Sequence, residues 1–99
     1  MNEQLLPIGS VVTLSGAEKK LMVMGVFPTD GDSGKMYDYI GVPYPEGFLD
    51  AETMFLFMHR DVQTIEFIGF INAEHQGYRH QLFKALEEQG VIEKSEDIV

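Results

Sequence analysis

The stretch IGSVVTLSGAEKKLMVMGVF, Ile8 to Phe27, decides how this chain folds. Its first seven residues alternate. Ile8, Ser10, Val12 and Leu14 share one face and Gly9, Val11 and Thr13 the other, which is the period of a β-strand. SGAEKK, Ser15 to Lys20, is polar and carries a glycine, as a hairpin connection does. LMVMGVF, Leu21 to Phe27, is apolar at nearly every position. That marks a central strand covered on both sides, with Gly25 allowing a bend or close packing. Strands joined by so short a link are most simply antiparallel neighbours.

The remaining segments extend this pattern. Pro28 to Lys35 is a loop by composition, and MYDYIGV, Met36 to Val42, alternates again. Pro43 and Pro45 each remove a backbone donor and fix φ, so they stop that strand. MFLFM, Met54 to Met58, reads as a buried strand, HRDV as a tight turn, and QTIEFIGF, Gln63 to Phe70, as a further strand. After Ile71 the period becomes helical. Asn72 is a suitable N-cap, Glu74 suits the first-turn dipole, and Gly90 suits the position after the last turn. Tyr78, Leu82, Ala85 and Leu86 recur as the stripe that a packed helix buries. The expected fold is α+β: a curled antiparallel β-meander of about five strands (8–14, 21–27, 36–42, 54–58 and 63–70) with one C-terminal helix over 73–89. The chain reads as a single domain over 1–99, ending in an acidic tail at 91–99.

Composition narrows the functional classes. The 99 residues include 16 acidic and 7 basic side chains, for a formal charge of -9. Such a chain lacks the basic footprint that nucleic-acid phosphates or anionic lipids require. It suits a soluble protein or one with a basic partner. With no cysteine, disulfides, thiolate metal sites and thiol catalysis are excluded. MNEQLLPIG is unlike a signal peptide, and no apolar run approaches the roughly 20 residues that span a bilayer. These features predict a cytoplasmic protein.

No catalytic, metal or cofactor site emerges, and the chain is not expected to be an enzyme. GDSG, Gly31 to Gly34, matches the string around a protease serine, but the chain is too short for that fold and Gly, Asp and Ser are common turn residues. DGDSGK, Asp30 to Lys35, begins with calcium-loop spacing. Gly34 then stands where a third oxygen ligand belongs, and Gly41 where the closing glutamate would be, so a hairpin loop is the better reading. His75 and His80, five apart on a helix, point in different directions, and His59 lies in a turn. Asp38 stands between Tyr37 and Tyr39; if buried it needs a donor such as a backbone N–H, Lys35 or Arg60, and contact with water is the simpler expectation. Methionines at 22, 24, 36, 54 and 58 fill core gaps by default, or furnish an adaptable binding surface.

YIGVPYPEGF, Tyr39 to Phe48, stands out instead. Its prolines stiffen the loop, so its rings can be displayed at low entropic cost. The expected partner-binding residues are Tyr37, Tyr39, Tyr44, Pro45, Glu46 and Phe48.

Three blocks, LPIGSVVTLSGAEKKLMVMG, YDYIGVPYPEG and MFLFMHRDVQTIEFIGF, occur in an order and spacing that resemble a bacterial domain-of-unknown-function family of type VII secretion gene clusters. The likeness runs from Leu6 to about Leu86. That family accompanies LXG-type toxins. The resemblance implies a non-enzymatic accessory protein that binds a cognate LXG toxin as chaperone or adaptor before export. An immunity protein that neutralises a toxin domain, or a small ligand-binding module, are the alternatives.

Overall fold

A computed structural model describes residues 5–90. Two compact units divide the chain. One is Leu6–Phe70; Leu5 and the segment from Ile71 belong to the other. The first unit holds five strands, β1 (Val11–Leu14), β2 (Lys20–Val26), β3 (Tyr39–Pro43), β4 (Phe55–Phe57) and β5 (Val62–Phe67). They form one open antiparallel sheet in the order β4-β3-β2-β1-β5. The first four strands make the expected meander. The fifth returns to the far side of β1.

That return imposes the curl. β4 and β5 are the two edges of the sheet, yet only residues 58–61 join them. Four inter-strand spacings put the edges of a flat sheet about 19 Å apart. The five Cα steps from Phe57 to Val62 reach about 17 Å when fully extended. Three of the four linking residues, His59–Asp61, are wound into a 3-10 turn, which shortens the reach further. The edges must therefore bend toward each other. Asp61 is tied to the end of β1, where its carbonyl accepts from Ser15 N–H at 2.9 Å.

Bulges supply the curvature. β5 carries one extra residue at Glu66, between the Val11/Phe67 and Val12/Ile65 pairs, and another at Gln63. β2 carries one at Met24, beside the Gly25 that the sequence marked as a bend. An extra residue on one strand increases local twist and re-aims the side chains beside it. On the inner face Val12, Leu21, Val23, Tyr39 and Phe57 are buried, and the Tyr39 and Phe57 ring centroids lie 5.3 Å apart. Gly41 leaves room there, since a Cβ on it would stand 3.1 Å from the Phe57 ring and 3.0 Å from the Met22 carbonyl.

Strand starts differ from the periodicity. β1 begins at Val11 because Gly9 has φ 93° and Ser10 N–H closes a turn on the Pro7 carbonyl. β3 begins at Tyr39; Met36 makes only an isolated bridge to Thr29. β5 ends at Phe67, before a close approach of backbones. Ser10, fully buried, donates through Oγ to the Pro7 carbonyl and accepts from Gly69 N–H at 3.0 Å.

The second unit contains α1 (Ala73–Glu88). Asn72 Oδ1 accepts from His75 N–H, and Gly90, at φ 75°, follows the last turn as expected. The sheltered face keeps Leu86 and the half-buried Leu82 of the expected stripe and not the rest. Phe83 and Leu86 are buried, whereas Tyr78 and Ala85 are exposed. The Arg79 guanidinium carbon lies 5.3 Å from the centroid of the Phe83 ring, a cation–π placement beside that buried residue. Among the described residues no helix is long and apolar enough to cross a membrane. The acidic tail at 91–99 lies outside the described residues.

Gly69→Ala would drive a methyl group into the Ile8 carbonyl. Overpacking of this kind is expected to cost about 1–3 kcal/mol, read as a lower urea midpoint with unchanged slope.

Candidate functional site

The stiff loop after β3 is built as its composition implies, but its tyrosines part company. Tyr44 N–H donates to the Lys20 carbonyl and Gly47 N–H to the Pro43 carbonyl, with Gly47 at φ 79°. The Tyr44–Pro45 peptide is cis. Tyr44 is 47% exposed and Phe48 62% exposed, with Leu49 exposed beside it. Pro45 is exposed as well. Glu46 is anchored across the loop, since Lys19 Nζ donates to its Oε2 at 2.8 Å and lies 2.6 Å from Oε1.

Tyr39 is a correction. It was expected among the displayed rings, yet it is fully buried. Strand alternation directs it to the inner face, where its hydroxyl accepts from Leu6 N–H at 2.9 Å and lies 2.7 Å from His59 Nδ1. One buried hydroxyl thus ties the start of the unit to the link between the sheet edges. Asp38, next to it, takes the backbone-donor option: Oδ2 accepts from His59 N–H at 2.7 Å. Tyr37 is half-buried, with Lys35 Nζ 4.9 Å from its ring centroid.

The glycine-rich loop uses its polar groups internally. Asp30 Oδ1 accepts from Asp32 N–H and Oδ2 from Ser33 Oγ, while Gly34 has φ 74°. Among the described residues no three His, Asp or Glu side chains gather to hold a metal ion.

A cleft that periodicity did not reveal lies on the other face of the sheet. It is open to solvent and has a volume of about 480 Å³. Cross-strand register builds it in two rows. Phe67, Val11 and Met22 stand opposite one another and form an apolar floor. In the next row Thr13 pairs with Lys20, and Thr13 Oγ1 donates to Glu66 Oε2 at 2.9 Å. The Glu66 bulge lets two consecutive residues, Glu66 and Phe67, line the same cleft. Tyr44 comes in from the proline loop, and Gly9 completes the lining. Phe67 in the cleft is 61% exposed, and the residues that follow it in sequence include the exposed Ile68 (54%) and Phe70 (78%).

The same core and cleft fall within a stretch that matches a known sequence family. The family model described as "Domain of unknown function (DUF4176)" matches residues 5–77. The chain belongs to the DUF4176 family. That match covers all five strands, the proline loop, every cleft residue and the first turn of α1. No curated protein and no solved structure matches this DUF4176 chain.

Two outcomes test this geometry. Tyr39→Phe removes the oxygen that serves both Leu6 N–H and His59 Nδ1, and denaturant unfolding is expected to show a loss of about 1–3 kcal/mol. The hydrogen bond from Lys19 holds the Glu46 carboxyl below the usual glutamate value. A depressed folded-state pKa stabilises above the unfolded value, and that contribution is lost as pH falls through the folded one. NMR titration should therefore place the Glu46 midpoint below that of an unpaired glutamate, and Lys19→Met should raise it.

Proposed function

We infer that this DUF4176 protein is a non-enzymatic accessory of type VII secretion. It binds a cognate LXG-family toxin as a chaperone or adaptor before export. The observation that carries this reading is the exposure of large apolar side chains on two segments, Tyr44, Phe48 and Leu49 on one and Phe67, Ile68 and Phe70 on the other, of which Tyr44 and Phe67 meet at the cleft. Large aromatic side chains on stiff supports make good interface anchors, because little conformational entropy is lost when a partner covers them. The three sequence blocks that resemble the secretion-cluster family supply the identity of the partner. The formal charge of -9 favours a partner surface that is basic. Tyr44, Pro45, Glu46 and Phe48 remain in the contact set, Tyr37 lies before β3 at the strand end away from that loop, and Tyr39 acts from within by holding the fold.

The test is co-expression with an LXG-family toxin from the same locus, followed by affinity capture through the small protein. The toxin is expected to co-elute. The double variant Tyr44→Ser, Phe48→Ser should weaken retention by about 30-fold or more while leaving the thermal midpoint near that of the parent. Failure to retain any such toxin would remove this reading. Protection of cells that produce only the isolated toxic domain would replace it with immunity.

A further inference from the structure

The cleft carries information about the partner that the exposed rings do not. We propose that it receives one bulky apolar side chain of an extended partner segment, carried between an acidic residue that meets Lys20 and a basic residue that meets Glu66. This deepens the protein-binding reading above and rests on it.

The occupant is chosen by size, lining and charge. About 480 Å³ falls in the range of sites that bind compact groups, roughly 300–1,000 Å³. Val11 and Met22 lie in the apolar floor row, and Tyr44 and Phe67 supply rings. Methionine beside aromatics adapts to a side chain of varied shape. The charged groups are unusual in their placement. Lys20 and Glu66 both line the cleft, on the two strands that flank Thr13. Their strands lie about 10 Å apart, two inter-strand spacings. Among the described residues neither makes an ion pair: Lys20 has no carboxylate, and Glu66 has no cation, within salt-bridge distance. The Thr13 hydroxyl occupies one Glu66 oxygen and leaves the other available.

An extended segment presents alternate side chains on one face, about 7 Å apart. Acidic, apolar and basic residues at positions i, i+2 and i+4, in either order, therefore all face the cleft, and the long charged side chains converge on Lys20 and Glu66. A second copy of the chain is a poorer occupant, since two bodies of formal charge -9 repel.

The chain contains no tryptophan, so a tryptophan in a probe peptide reports alone. The probe is the end-capped peptide Ser-Glu-Ser-Trp-Ser-Lys-Ser, together with its reversed-order form. One of the two is expected to bind saturably, with blue-shifted emission and NMR shifts at Val11, Met22 and Phe67. Replacing its tryptophan by serine, or Phe67→Ala in the protein, should weaken binding about tenfold or more. Phe67 is exposed, so that variant leaves the core intact. Replacing the peptide lysine by serine should cost about threefold against the parent and nothing against Glu66→Gln; the peptide glutamate should couple in the same way to Lys20→Met.

Three results overturn the assignment: no saturable binding at millimolar peptide, shifts confined to Tyr44–Leu49, or equal peptide losses in parent and Glu66→Gln. A dimer that buries Phe67 in solution does so too. If the toxin co-purifies equally with Phe67→Ala and the peptides fail, the cleft assignment falls and the chaperone stands. If the peptides bind and no LXG-family toxin is retained, the reverse holds.

Discussion

The sheet depends on one short link. Residues 58–61 connect strands at opposite edges of the β4-β3-β2-β1-β5 order, and they are too few to cross a flat sheet. Everything inside the unit follows from the curl that results. Val12, Leu21, Val23 and Phe57 close on one another, and the link itself is pinned from within. His59 offers its ring nitrogen to the buried Tyr39 hydroxyl and its backbone N–H to Asp38. A polar group so placed resists slippage, because any other register would leave a buried hydroxyl, a carboxylate and two backbone donors without partners.

The same curvature shapes the outer face. Bending the sheet takes extra residues on single strands, and those bulges fall at Met24, Gln63 and Glu66. The bulge at Glu66 shapes the cleft, since it sets Glu66 and Phe67 together beside Val11, Met22 and Lys20. The two faces are thus coupled through geometry: a device that closes the core on one side lines a cleft on the other. Lys19 contributes in parallel by holding Glu46, which steadies the proline loop that brings Tyr44 to the cleft.

Much of this is legible in the sequence alone. The hairpin of Ile8 to Phe27, five strands and one helix, the Asn72 cap and the Gly90 terminus all follow from patterns a few residues long. The rigidity of the loop at Pro43 to Gly47 was equally visible. The exposure of its neighbours was not, because Tyr39 and Tyr44 look alike in a string although strand alternation turns one inward and the turn carries the other out. On the helix, Phe83 rather than Tyr78 is buried and the Arg79 guanidinium stands over its ring, a cation–π pairing that apolar periodicity does not register.

By itself the sequence determined the local elements and their ends, because propensity, alternation and capping act between neighbours along the chain. It also determined the acidic character and the family, whose glycines and prolines mark the turns. Only tertiary structure decided that β5 joins β1, that Asp38 and His59 support Tyr39, and that Gly9, Lys20, Tyr44 and Phe67 line one cleft. Most of those contacts join positions far apart in the chain, such as Tyr39 with His59 and Val11 with Phe67. They arise from strand order and from bulges whose extra residue is visible only against the partner strand.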